Sequence, residues 1–158
     1  MNDQFAKNQA RPQPSEFAPP ATAWVREQLE QIDAAGGDTA AVGIQGRAVV
    51  VLTMRGRRSG KLRRVPLMRV EQNGVYAAVA SKGGAPEHPD WYFNLIADAR
   101  VDLHDGTAHT QTRAREISGN ERDNWWQRCV SAFPTYADYA AGTDRRIPVF
   151  LLEPVQSG

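Results

Sequence analysis

Hydrophobic positions first recur at a helical interval at Trp24, Val25, Leu29 and Ile32, which fall near one face of a helix. Thr22 stands where that helix takes its N-cap, and Gly36 and Gly37 supply its stop. Upstream, residues 1–21 show no such period. Pro12, Pro14, Pro19 and Pro20 are interleaved there with Asn, Gln and Ser, a composition that buries too little surface to repay ordering. The segment reads as a mobile arm in front of one domain, 22–158.

From Ala48 the pattern changes to β-branched residues. Ala48–Met54 is an apolar run suited to a strand covered on both faces, and it ends in a charged, glycine-bearing loop. Val65, Leu67 and Val70 mark a second strand. Asn73-Gly74 is a tight-turn sequence leading into a third strand, 75–80, so three consecutive strands are expected as antiparallel neighbours. Pro89 opens a short helix with Trp91, Leu95 and Ile96 on its buried side. Val101–His104, the Asp105-Gly106 turn and Thr107–Ile117 form another hairpin. Ser118 and Glu121 then have capping-box spacing before a helix through Trp125, Trp126, Cys129 and Val130. Pro134 interrupts it, and Ile147–Leu152 closes the chain as a final strand. The expected fold is α+β and mainly β: an antiparallel barrel of about six strands with three to four helices, because such a sheet must close or be covered to hide its edges. The alternation required by a doubly wound parallel sheet is missing.

Charge narrows the partners. Nineteen Lys/Arg against eighteen Asp/Glu leave a net charge of +1, with no global basic field to grip nucleic acid. No apolar run reaches the length of a membrane span, and the N-terminal region lacks the apolar core of a signal peptide. The single cysteine, Cys129, excludes an internal disulfide framework and reads as a buried structural thiol. A cytoplasmic protein is expected.

The sharpest local feature is the stretch 55–64, which places six basic residues in ten positions with no acid. Glycine N–H groups, the Ser59 hydroxyl and guanidinium forks can converge there on an oxyanion, as a phosphate cradle. It is not a Walker loop, since Leu62 stands where Ser or Thr would hold magnesium. The same run also reads as a solvated hairpin loop. Ser81-Lys82-Gly83-Gly84-Ala85-Pro86 is a second donor-rich segment, and Trp91-Tyr92-Phe93 puts three adjacent aromatics on one helical turn, so at least one must face outward or into a pocket. Tyr136 and Tyr139 are candidate phenolic donors that equally suit packing. His88, His104 and His109 lack metal-ligand spacing, although His104 and the Asp102 carboxylate share one face of a strand, and no metal is assigned. Neither a Ser-His-Asp set nor a Gly-x-Ser-x-Gly elbow is present.

Together, Gly56-Arg57-Arg58-Ser59-Gly60, Arg63, Pro66-Leu67, Ala80-Ser81-Lys82-Gly83-Gly84-Ala85, Pro89-x-Trp91-Tyr92-x-Asn94-Leu95 and Thr143-Asp144-Arg145-x-Ile147-Pro148 carry a resemblance. They resemble the deazaflavin-dependent nitroreductase and quinone reductase family of actinobacteria, over roughly residues 24–154. The resemblance implies a split β-barrel like that of FMN-binding oxidoreductases, and hydride transfer from reduced coenzyme F-420 to quinones, nitroaromatics or other activated electrophiles. It implies that Arg57, Arg58, Ser59 and Arg63 hold the phosphate and polyglutamate tail of the coenzyme. Arg64, Val65, Pro66, Leu67 and Met68 would line the deazaflavin, and Val79, Ala80, Ser81 and Lys82 its ring edge and linker. Asp90, Trp91, Tyr92, Phe93 and Asn94 would cover the other side. Tyr136 and Tyr139 would face the substrate, and these phenols or Ser81 would donate a hydrogen bond to its oxygen. Where the family pattern often has a tyrosine before the proline after the tryptophan helix, this chain has Phe133. The coenzyme carries the redox chemistry, so no protein nucleophile is required. Competing readings are FMN in the same barrel class, a deazaflavin carrier without turnover, and a basic-loop adaptor for an anionic partner. A homodimer is expected by analogy with split barrels. The resemblance implies an N-terminal segment that is sometimes amphipathic and membrane-associated; the Pro-rich arm argues against stable insertion and leaves peripheral contact open.

Overall fold

The computed structural model describes residues 16–20 and 22–155. Seven antiparallel strands form one sheet: β1 (Val49–Arg55), β2 (Leu62–Met68), β3 (Glu71–Gln72), β4 (Val75–Val79), β5 (Arg100–Asp105), β6 (Ala108–Glu116) and β7 (Val149–Pro154). Their order is β2-β1-β5-β6-β7-β4-β3. The two edge strands are thus consecutive in the chain, separated only by Arg69 and Val70. A sheet whose opposite edges are joined by two residues has to curl until they meet, and this makes the split barrel.

The corner at Arg69 is held by charge. Its Nε donates to Asp105 Oδ2 at 2.9 Å, and the Tyr76 hydroxyl donates to the same oxygen. Burial, aided by this carboxylate, pushes the Tyr76 phenol up to about 12. The backbone continues the pairing across the corner, with Arg69 N–H on the Ala48 carbonyl and Ala77 N–H on that of Val70. The strand expected through Val65, Leu67 and Val70 therefore stops at Met68, where β2 leaves β1; Val70 belongs to the corner, and β3 beyond it pairs with β4.

Among the described residues four α-helices cover the barrel: α1 (Ala23–Ala34), α2 (Asp90–Ala97), α3 (Gly119–Ala132) and α4 (Thr135–Ala141). The interior is apolar, built from Val50, Leu52 and Met54 of β1, Leu103 of β5 and Phe150 and Leu152 of β7, with Trp91 and Leu95 of α2 closing it. On the outer side of β4 and β7, helices α3 and α4 bury Cys129, Phe133 and Tyr136 against Val79, Val149 and Leu151. On the outer side of β1, α1 buries Leu29 and Ile32 against Val51. Each such aliphatic side chain contributes roughly 1.5–3 kcal/mol.

The expected caps divide. Thr22 Oγ1 accepts from Val25 N–H at 3.2 Å, and Gly36 and Gly37 end α1 in the left-handed region. Ser118 occupies the N-cap of α3 without a side-chain bond, because Glu121 is drawn instead to a fork with Arg115. Of the stretch expected as an arm, 1–15 and 21 lie outside the described residues. Its end does not hang free: Phe17 bridges Leu62, and Ala18 N–H donates to the Leu62 carbonyl at 2.8 Å, capping part of the exposed edge of β2. Pro66 is tolerated in β2 because that strand lies at an edge.

Candidate functional site

A cleft of about 1630 Å³ opens along β2. Phe17, Ala18 and the α1 side chains Trp24, Val25 and Leu29 line it, together with Arg63, Arg64, Val65 and Pro66 of β2. Lys82 and the α2 residues Asp90, Trp91 and Asn94 also line it, as do Thr53, Asp102, His104, His109 and Gln111. Arg64 fastens α1 to the sheet with a two-pronged bond to Asp33, at 2.9 and 3.1 Å.

The basic turn leading into β2 is closed on itself. Gly56 N–H donates to the Lys61 carbonyl at 2.8 Å and Gly60 N–H to that of Gly56 at 2.9 Å. Lys61 N–H donates to Ser59 Oγ at 3.1 Å, and Arg57 N–H to Asn94 Oδ1 at 3.0 Å. This corrects the expected cradle of glycine amides: those donors are consumed within the turn or by Asn94, so an anion would be met by side-chain cations. Arg57 is occupied as well, with Nη1 on Asn94 Oδ1 at 2.9 Å and its guanidinium over the Phe93 ring. Arg58, Lys61 and Arg63 take no ion pair among the described residues. A side chain at Gly56 would meet Arg63 Nε at 3.0 Å, so glycine lets Arg63 fold back across the turn.

The second loop is built from three successive left-handed residues, Lys82, Gly83 and Gly84. A Cβ at Gly84 would come within 3.1 Å of the Tyr139 carbonyl, so the loop lies flat against α4 only with glycine there. Arg145 knots this loop from behind. Its guanidinium donates to the carbonyls of Ala80 at 3.2 Å, Ser81 at 2.7 Å and Ala85 at 2.8 Å, and Nη1 lies 2.9 Å from His88 Nδ1. Because Arg145 can only donate, the His88 nitrogen accepts; burial and the Arg145 charge hold this ring below the usual histidine range.

Several residues expected at the site line one cleft: Arg63, Arg64, Val65, Pro66, Lys82, Asp90, Trp91 and Asn94. Arg57, Arg58 and Ser59 form the adjoining turn. Others are placed elsewhere. Leu67 packs into the barrel interior, while Met68, Val79 and Tyr136 are buried together on the opposite outer side and Ala80 is wholly enclosed. Tyr136 does not line the cleft; Phe133 and Tyr139 pack edge-on against its ring, and burial drives its phenol well above the ordinary range. Ser81 is buried and held through its carbonyl, and Tyr139 is half-buried behind Gly84. Tyr92 and Phe93 lie beside the cleft around His88 rather than in it. The cluster not anticipated is the polar one: Thr53, Asp102, His104, His109 and Gln111. Strand alternation already places Asp102 and His104 together, and the register after Asp105-Gly106 brings His109 and Gln111 opposite them.

A curled antiparallel sheet with a cation-rimmed cleft on its edge strand is a split barrel with room for an anionic ligand. The sequence profile of the F420H(2)-dependent quinone reductase family matches residues 24–154, and the chain belongs to that family. It is an oxidoreductase that passes hydride from reduced coenzyme F-420 to quinones. A putative F420H(2)-dependent quinone reductase of Mycobacterium tuberculosis is 33% identical over 105 residues, 66% of this chain and 88% of the relative. A solved F420-H2-dependent reductase is 52% identical with a TM-score of 0.65, covering 71% of this chain and 99% of its own. A solved chain described as a domain-swapped dimer is 52% identical with a TM-score of 0.67, covering 82% and 97%. No described helix is long and apolar enough to cross a membrane.

The residues present fit the coenzyme. Asn94 is 2% exposed, and its Nδ2 is a buried donor without a partner in the wall of the cleft. An unsatisfied buried amide costs about 1–3 kcal/mol, which a ligand acceptor would relieve. The unpaired Arg58, Lys61 and Arg63 suit a polyanionic tail.

Proposed function

We propose that Arg58, Lys61 and Arg63 grip the phosphate and polyglutamate tail of the coenzyme, and that Asn94 Nδ2 and the Lys82 ammonium hold the edge of its ring. The observation that carries this reading is the meeting of the orphaned Asn94 donor and the unpaired Arg63 in one cleft, beside the turn that bears Arg58 and Lys61; Lys82 enters the cleft with Glu87 as its present partner. When bound, the reduced deazaflavin supplies a hydride, the two-electron chemistry that the protein lacks. Val65 and Pro66 add apolar surface to the cleft on the two sides of the edge strand β2. Arg64, tied to Asp33, keeps α1 over the cleft and limits water access. Arg145 acts behind the surface by holding the Ser81–Ala85 backbone, so that Lys82 projects from a preset loop.

Tyr136 has no substrate contact in this reading, because it is sealed under α3 and α4. Nitroaromatics join quinones as oxidants, since both accept a hydride and bind by stacking. Pairing of two copies belongs to the same proposal and is supported by the domain-swapped relative.

Equilibrium titration with oxidised deazaflavin, with FMN as competitor, tests the assignment. Saturable binding that weakens as salt rises and in Arg63→Ala is the expected result. Equal affinity for FMN, or indifference to Arg63, would overturn it.

A further inference from the structure

The loop that carries Lys82 is held from behind by a guanidinium, and one of the acceptors on that guanidinium is titratable. Arg145 Nη1 donates to the Ala80 carbonyl at 3.2 Å and to His88 Nδ1 at 2.9 Å, while Nε and Nη2 hold the Ala85 and Ser81 carbonyls. Three of these four acceptors are carbonyls, which accept at any ordinary pH. The fourth is an imidazole nitrogen, which accepts only while it is unprotonated. The neutral ring therefore carries its proton on Nε2. A second proton can enter only at Nδ1, the atom that receives Arg145.

The ring has little freedom to turn away. His88 precedes Pro89, which biases its backbone toward extended conformations, and the Tyr92 ring lies against it with centroids 4.4 Å apart and that of Phe93 at 6.0 Å. Arg145, on the approach to β7, opposes a further charge on the ring. Glu116, at the end of β6, favours one but already accepts from the Tyr92 hydroxyl at 3.3 Å. That phenol is itself held above its ordinary range by burial and Glu116, so it stays neutral. On the loop itself, Glu87 is paired with Lys82 at 3.0 Å. Burial and Arg145 outweigh Glu116, so the ring is neutral at about pH 7 and takes up its second proton only below the usual histidine range.

We propose that His88 is a positioning residue for the coenzyme loop, a latch whose neutral ring completes the Arg145 knot and whose protonation releases it, so that the protein grips the coenzyme at neutral pH and loosens its grip in acid. The inference rests on the proposed contact of Lys82 with the coenzyme and adds what controls it. A second proton on His88 removes an acceptor and sets two cations 2.9 Å apart in a half-buried place. The guanidinium has to withdraw, and its bonds to the carbonyls of Ala80, Ser81 and Ala85 weaken with it. Those bonds fix a turn of three successive left-handed residues, Lys82, Gly83 and Gly84. Lys82 is not a glycine, and a side-chain-bearing residue keeps that conformation only where its surroundings enforce it. Once the knot is slack, Lys82 relaxes and its ammonium loses its preset aim. His88 touches neither the coenzyme nor the oxidant; it acts through Arg145.

Amide hydrogen exchange in the coenzyme-free full chain reads the latch directly. The Gly84 and Ala85 amides donate to the Ser81 and Lys82 carbonyls, so they report the turn. Their protection, corrected for intrinsic exchange, should fall about tenfold between about pH 7.5 and about pH 5, while amides in the middle of β1 keep theirs. Titration with oxidised coenzyme at the same two pH values should show about tenfold weaker binding in acid, the effect of one lost charge-assisted hydrogen bond. His88→Asn, whose Oδ1 can accept from Arg145 at any pH, should bind as the wild type does near neutrality and escape the acid loss. Ionisation of the coenzyme itself affects both proteins alike, so the difference between them belongs to residue 88. His88→Leu, without an acceptor, should show the weaker binding and the lower protection at both pH values. Unchanged loop protection of the wild type in acid, a fall shared equally by His88→Asn, or tighter coenzyme binding by the wild type than by His88→Asn in acid would overturn the proposal. Loop amides that open in acid only in the wild type, with no change in coenzyme Kd, would instead leave the latch standing and strike the Lys82 contact beneath it.

Discussion

Two patches of the barrel's outer surface are covered by helices, and they have been filled in opposite ways. Under α3 and α4, Cys129, Phe133, Tyr136 and Val149 interlock as an apolar layer. Burial there pushes the Cys129 thiol up to about 12, well removed from nucleophile chemistry. Under α1 the buried apolar set is Leu29, Ile32 and Val51, and beside it the sheet presents Asp102, His104 and Thr53. The first patch is cement. The second trades packing for an opening in which buried polar groups survive under a roof.

Substitutions can break this contrast, and the largest effect is expected in the filled patch. Phe133→Ala should cost about 3–5 kcal/mol in denaturant unfolding while leaving coenzyme affinity intact in the protein that remains folded. Equal loss of both would mean that the two patches are one unit. Next comes Arg145→Ala, which strands the carbonyls of Ala80, Ser81 and Ala85; a stability loss of about 2 kcal/mol and a raised KM for the coenzyme are expected, with Arg145→Lys recovering only part of either. Arg63→Ala should leave unfolding within about 0.5 kcal/mol of wild type, yet raise the coenzyme Kd about tenfold in low salt and less in high salt.

The smallest effect is one of pH. Because His88 is held below the ordinary histidine range, the unfolded chain takes up this proton first as pH falls. Its contribution to stability is therefore whole above about pH 6.5 and drains away as pH drops toward the folded value. His88→Asn should flatten that part of the pH–stability curve, measured as denaturation midpoints; an unaltered slope would place the titration elsewhere.

Sequence legibility followed the range of the interactions involved. The turns at Asn73-Gly74 and Asp105-Gly106 and the helix stop at Gly36-Gly37 depend on neighbours in the chain, and they were readable as such. The two-residue strand Glu71–Gln72 was not, since the corner that separates it from β2 is held by a contact distant in sequence, Arg69 on Asp105. The capping box at Ser118 failed for a similar reason: Arg115 lies within reach of both Glu121 and Glu153 and takes them as partners. The basic turn was visible as charge. Which of its donors remain for a ligand was not, because Asn94, 37 residues away, claims Arg57. Tyr136 looked like a cleft residue by its position in a recognised pattern, and the packing of α3 on α4 seals it instead. Asp102 and His109 needed the strand register before they could be seen as a pair.

The Arg145 knot has a dynamic corollary. It ties the segment leaving β4 to the one entering β7, and these two strands are direct neighbours in the sheet. Residues 80–88 cannot breathe alone: any local opening there must drag the approach to β7 with it. Backbone amides in both segments should exchange with deuterium at matched rates, slower than a glycine-rich stretch would otherwise show.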